Sequence, residues 1–201
     1  VDITAGDLTR YDVGIGSLAT SAGAIYQSGG AFSVQRAAGM DDFRLGSVAS
    51  GYGCYNLSGG TLNANEVAIG SAFGGATNAI GVMDITGGAF NDAGWVGVAR
   101  GQGSSGVLTV NGGAVNLAGT VANSKLALNV QNFLAASSGQ AVVNLGNGAI
   151  TGPSTATCVL DLMTTGNAGN RSVFNLLSGG VLTIYQVTAL SGTGTALFNF
   201  N

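Results

Sequence analysis

Residues 55–70 read YNLSGGTLNANEVAIG. Tyr55 and Leu57 alternate with polar neighbours up to Gly59-Gly60, and Leu62 follows two positions beyond the pair. Period-2 alternation on both sides of a glycine doublet describes a short strand, a sharp corner and a second short strand. Looser copies recur along the chain. With the second corner glycine as origin, the corners fall at Gly6, Gly30, Gly60, Gly88, Gly113, Gly148 and Gly180, at intervals of 24, 30, 28, 25, 35 and 32 residues.

The flanks carry more information than the glycines. Two positions after each corner stand Leu8, Phe32, Leu62, Phe90, Val115, Ile150 and Leu182, all apolar. Two positions before each doublet stand Ile3, Gln27, Leu57, Ile85, Val110, Leu145 and Leu177, where only Gln27 is polar. One residue further back the column is mostly polar: Asp2, Tyr26, Asn56, Asp84, Thr109, Asn144 and Leu176. A third apolar patch closes each unit, at VGIG (13–16), FRLG (43–46), VAIG (67–70), WVGV (95–98), LAL (126–128), LDL (160–162) and YQV (185–187). Three units are longer, with additional residues near 35–41, 118–124 and 151–157. Insertions of that kind belong in loops projecting from a corner.

No segment sustains the i, i+3, i+4, i+7 stripe of an amphipathic helix. One unit of about 29 residues cannot bury its apolar face alone, whereas stacked units bury a continuous column. The reading is therefore all-β: a parallel β-solenoid of about seven to eight coils, with residues 1–201 forming one repeat array. A β-sandwich or antiparallel meander is the competing reading, because its strands alternate too. NGG at 111–113 would suit a hairpin turn, but its equivalents are SGG and TGG in the same frame, and one shared corner explains all of them.

Composition narrows the functional classes. Glycine is 36 of 201 residues, charged residues are 7%, and the net charge is −3. Phosphate backbones are bound by basic stripes, so nucleic acid is not an expected partner. No apolar run approaches the roughly 20 residues of a spanning helix, so no membrane insertion is expected.

YNLSGGTLNANEVAIG, VMDITGGAF, GVLTVNGGAVNLAG and TALFNFN resemble the repeats of autotransporter passenger domains and related bacterial surface proteins. The likeness covers nearly the whole chain and is weakest at 118–170. It implies a right-handed parallel β-helix, an extracellular location on a bacterial surface, and often a C-terminal membrane barrel, which this chain does not contain.

Candidate chemistry is sparse. The chain has no histidine, which removes Ser-His-Asp and Cys-His catalysis and the usual zinc sets. The carboxylates are Asp2, Asp7, Asp12, Asp41, Asp42, Glu66, Asp84, Asp92 and Asp161. Asp2 and Asp84 share an outward column three coils apart, too far for paired acid–base work. RAAGMDDFR, with Arg36, Asp41, Asp42 and Arg44, is the densest charge cluster and reads as a solvated loop. GQGSSG (101–106) matches G-x-G-x-x-G formally, but VLTV follows it, a strand where a dinucleotide site needs a helix. Cys54 and Cys158 are expected as free thiols, several coils apart. Tyr26, Tyr52, Tyr55, Trp95 and Tyr185 would stack sugars if they shared one outward column, but they do not, and packing is the favoured role. No catalytic, metal or cofactor-binding residue is assigned, no cofactor is expected, and the chain is not read as an enzyme.

The leading functional expectation is a structural rod, or a fibre subunit that stacks end to end on copies of itself or on adjacent repeats of a longer chain. The second is an adhesin that binds glycans through the three insertion loops. The third is a polysaccharide-cleaving β-helix enzyme, which would need carboxylates converging in a groove.

Overall fold

A computed structural model describes residues 1–35, 43–72, 77–118, 125–129, 138–154, 158–162, 168–189 and 193–201. The strands follow in threes. β1 (Asp2–Ile3), β2 (Asp7–Tyr11) and β3 (Val13–Ile15) make the first set, and β4 (Ala22–Gln27), β5 (Ala31–Gln35) and β6 (Phe43–Leu45) the second. In the middle two strands fuse into one. β7 (Tyr52–Leu57) is followed by the long β8 (Thr61–Ala72), and β9 (Ile80–Ile85) by the long β10 (Ala89–Gly101). Threes then resume with β11 (Ser105–Val110), β12 (Ala114–Leu117) and β13 (Lys125–Leu128), and with β14 (Gln140–Leu145), β15 (Ala149–Thr151) and β16 (Val159–Asp161). β17 (Arg171–Leu176), β18 (Val181–Thr183), β19 (Gln186–Thr188) and β20 (Thr195–Phe200) complete the chain.

The fold is all-β, and its strands pair in parallel throughout. Sheet A runs β1-β4-β7-β9-β11-β14-β17-β20, and the remaining strands form a second, 12-stranded sheet. Each unit thus visits sheet A, turns a glycine corner, crosses the second sheet twice and returns one strand further on. This is the stacked parallel solenoid expected from the repeats. The doublets line up as expected: Thr61 N–H bonds Gly30 O at 2.9 Å, Ala89 N–H bonds Gly60 O at 3.0 Å and Ala114 N–H bonds Gly88 O at 3.0 Å. NGG at 111–113 is one of these corners, joining β11 to β12, not a hairpin. Among the described residues no helix is long and apolar enough to cross a membrane.

The first apolar column is a true ladder, with Leu8, Phe32, Leu62, Phe90, Val115, Ile150 and Leu182 in successive register. Phe32 through Ile150 are at most 1% exposed. The second column needs a correction in its last unit. Leu145 pairs with Leu176, not Leu177, and Asn144 pairs with Asn175. The turn after β17 holds four residues where the others hold three, so Ser178 shifts the doublet by one. That turn closes through Gly180 N–H to Leu177 O at 3.0 Å, with Gly179 at φ +78, as a type II turn requires.

The third patch needs two corrections. Val67 pairs with Val96, so Trp95 lies one row earlier, beside Glu66, because β10 carries an extra residue between Asp92 and Trp95. Leu160 pairs with Val187, so Tyr185 lies outside the ladder.

Gln27 occupies its inward place as an anchor. It is 1% exposed, and its Nε2 donates to Gly29 O, Gly30 O and Thr61 O at 3.2, 3.1 and 3.0 Å. Its Oε1 accepts the Tyr55 hydroxyl. Tyr55 in turn packs edge-on against Phe43 at 5.2 Å and beside Phe32 at 6.4 Å. One buried amide therefore satisfies corner carbonyls of two coils and caps an aromatic cluster, which removes the penalty of burying it.

Candidate functional site

Sheet A presents a flat outer face built from alternate residues of its strands. Its outermost column is Asp2, Tyr26, Asn56, Asp84, Thr109, Asn144, Asn175 and Asn199. Beside it runs Ala24, Cys54, Val82, Val107, Val142, Val173 and Leu197, an aliphatic stripe that is half-buried from Ala24 to Val173. Tyr52 and Ile80 stand next to each other in a third column that begins at Ala22, and are 39% and 43% exposed.

Tyr26, Tyr52, Cys54 and Asp84 gather on this face. Burial raises the Tyr52 hydroxyl, and the neighbouring thiol, the Asp84 carboxylate and Tyr26 raise it further. Burial and Asp84 likewise raise the Cys54 thiol, against a bond to Tyr52 that lowers it. The thiol is thus held protonated at neutral pH, the opposite of an activated nucleophile. Cys158 is also free, buried, and raised by burial.

The aromatic candidates separate. Tyr26 and Tyr52 share the outer face of sheet A, Tyr55 is fully buried, and Tyr185 stands 52% exposed in the bend between β18 and β19. Trp95 lies beneath the Arg100 guanidinium, 4.4 Å from the ring centroid, and Arg100 pairs with Glu66 at 2.6 Å. Both ends of that ion pair are nearly buried, so Glu66, Arg100 and Trp95 clamp β8 to β10.

The described carboxylates are spread over several coils. Asp2 and Asp84 lie three strands apart in one column, as read from the sequence. Asp12 bonds Arg44 at 2.7 Å. Asp92 is fully buried, in register with Ala64 and Leu117. Arg36, Asp41 and Asp42 lie outside the described residues, as do 36–41 and 119–124 of the first two insertion loops and 155–157 of the third. GQGSSG is a tight link between β10 and β11, with Gly101 and Gly103 at φ +87 and +63. Among the described residues no group of three His, Cys, Asp or Glu side chains comes together.

Two features escaped the sequence. Amide ladders run up the outer surfaces: Asn91 donates to Asn63 at 2.9 Å and Asn116 to Asn91 at 2.8 Å on one sheet, while Asn175 donates to Asn144 and Asn199 to Asn175, both at 2.8 Å, on the other. The second is a column of small residues, Gly23, Gly53, Gly81, Gly106, Ala141, Ser172 and Ala196, one strand apart. It faces a second left-handed corner, Gly16, Gly46 and Gly70 at φ +66, +64 and +73. A Cβ on Gly53 would meet backbone atoms of Ile15 and Leu45 at 2.6 and 2.8 Å, so only the smallest residues let this corner close. The signal was present as AG, YG, IG and SG at each strand start, but it is too short to stand out.

No family model, curated protein or solved structure matches the chain.

Proposed function

We propose that the chain is a structural β-solenoid of a bacterial cell surface, whose work is mechanical. The observation that supports this reading is the unbroken run of parallel ladders through sheet A, reinforced outside by amide ladders and inside by apolar columns. Each strand carries a full set of backbone bonds to its neighbours, so bending the stack strains many bonds together. The extracellular location rests on the likeness of the Gly-Gly units to surface-protein repeats.

The partners in this reading are further coils, from another copy or from adjacent repeats of a longer chain, joined by the same parallel pairing. β1 and β20 each present an edge that pairs with no described strand. Exposed edges of this kind recruit strands. Sedimentation and electron microscopy across a range of concentrations test self-stacking. Fibres that vanish when Phe200 is replaced by Pro, which removes a donor from the free edge because Thr195 and Asn201 N–H turn back to β17 and the alternate residues turn away, support it; a monodisperse monomer at high concentration overturns it and leaves the repeat-module form. Hydrogen exchange tests the mechanical reading itself. Slow exchange throughout β7, β9, β11 and β14 is expected, and fast exchange there defeats a stiff scaffold.

A further inference from the structure

The corner column next to sheet A is filled by Thr4, Ser28, Ser58, Thr86 and Asn111, each exposed and polar. The next position is Gly146, and the one after it Leu177, as the backbone bonds Gly146 N–H to Val110 O and Leu177 N–H to Leu145 O show, both 2.8 Å. One side chain is therefore missing from an otherwise complete stack. The longer turn of the following coil then holds Leu177 over the gap. The result is a cleft of about 360 Å³ with Gly146 at its floor, lined by Thr109, Asn111, Asn144, Asn147, Leu177 and Ser178.

No charged side chain lines the cleft, so it suits a neutral ligand. Two bonds fix how its amides point. Asn147 donates to Asn111 Oδ1 at 3.0 Å, and Asn175 donates to Asn144 Oδ1 at 2.8 Å. The Nδ2 groups of Asn111 and Asn144 stay available as donors and Oδ1 of Asn147 as an acceptor. Leu177, 37% exposed, offers an aliphatic wall, and Thr109 and Ser178 add hydroxyls.

We propose that this cleft binds an N-acetylated hexosamine residue of a neutral glycan. An acetamido group matches the lining part by part. Its carbonyl accepts from the Asn111 or Asn144 amide, its N–H donates to Asn147 Oδ1, and its methyl packs on Leu177. The ring hydroxyls face Thr109 and Ser178. A binding site of this kind is mostly apolar wall with a few placed polar groups. The proposal goes beyond the scaffold reading, does not rest on it, and uses none of the insertion loops.

The test is a titration of the full chain with N,N′,N″-triacetylchitotriose, followed through the ¹⁵N side-chain amides, with maltotriose as the hexose control. Saturable shifts at Asn111, Asn144 and Asn147 with the acetylated sugar alone are expected. Gly146→Asn fills the cleft on ordinary backbone, the nearest obstacle being Leu177 Cβ at 3.3 Å from the added Cβ. It should weaken binding by roughly tenfold or more. Leu177→Ser, outside the core ladders, should do the same and decides the matter if Gly146→Asn does not fold. No saturable shift, equal binding of maltotriose, or binding unchanged in the folded variants overturns the proposal.

Discussion

The middle of the solenoid and its last strands use the same pattern with different results. In the middle, β8 and β10 run 12 and 13 residues without a break, and Leu62, Phe90, Leu57 and Ile85 are fully buried. At the other extreme, β18 and β19 are three residues each, Leu182 is only half-buried, and Phe200 is 75% exposed although it stands in the Leu57 column. What differs is the number of neighbours. A rung covered by coils on both sides loses all its apolar surface, while a rung covered on one side keeps much of it. The value of a ladder position is set by its place in the stack as much as by its residue.

The largest expected difference lies in the core. Phe90→Ala should destabilise by about 3–5 kcal/mol, and Leu182→Ala by only about 1 kcal/mol, in denaturant titrations. Equal losses would break the comparison. Next come the corners. Gly60 and Gly6 share left-handed backbone, at φ +80 and +77, but a Cβ on Gly60 meets the Gly29 carbonyl at 2.6 Å, whereas one on Gly6 meets nothing within 4 Å. Gly6→Ala should therefore cost about 1–2 kcal/mol, the conformational strain alone. Gly60→Ala should cost about 3 kcal/mol or more, because the backbone of the coil beneath must shift as well.

Tyr55→Phe sharpens the middle further. It leaves Gln27 Oε1 without its hydroxyl donor and should cost about 1–2 kcal/mol. It should also alter the alkaline limb. Burial pushes the Tyr55 hydroxyl well above its usual value, so the folded protein holds that proton after the unfolded chain has lost it. The stability this group contributes is complete below pH 10 and declines as the pH climbs above it, by up to about 1.4 kcal/mol per pH unit. The phenylalanine variant should lose less stability above pH 10 than the parent does. The smallest contrast is on the surface. Asn91 both donates to Asn63 and accepts from Asn116, so Asn91→Ala should cost about 1 kcal/mol, while exposed Asn199 makes one such bond and Asn199→Ala should cost a few tenths.

The repeat itself was legible because period-2 alternation and glycine corners are local signals. Leu8 through Leu182 fell into one register with no correction. Two of the three errors came where a single residue was inserted. Ser178 moved Leu177 out of the core and Leu176 in, and the extra residue before Trp95 moved that ring onto the Glu66 row. An alignment on glycines cannot see such a slip, because one residue changes which face a side chain takes without changing its type. Gln27 read as a defect for the same reason, since its four partners lie in Tyr55, the Gly29-Gly30 corner and the next coil's Thr61. The cleft at Gly146 was invisible too: a glycine in a glycine-rich chain announces nothing until the column that it interrupts is known.

Sequence alone determined that the chain winds in short strands around glycine corners, with one apolar column through every coil, because those choices follow from backbone sterics and side-chain period. Tertiary structure decided which residue stacks on which, how deeply each rung is buried, and where a missing side chain opens the surface. Those outcomes depend on contacts between residues some 24 to 36 positions apart. Such contacts exist only once one coil lies on another.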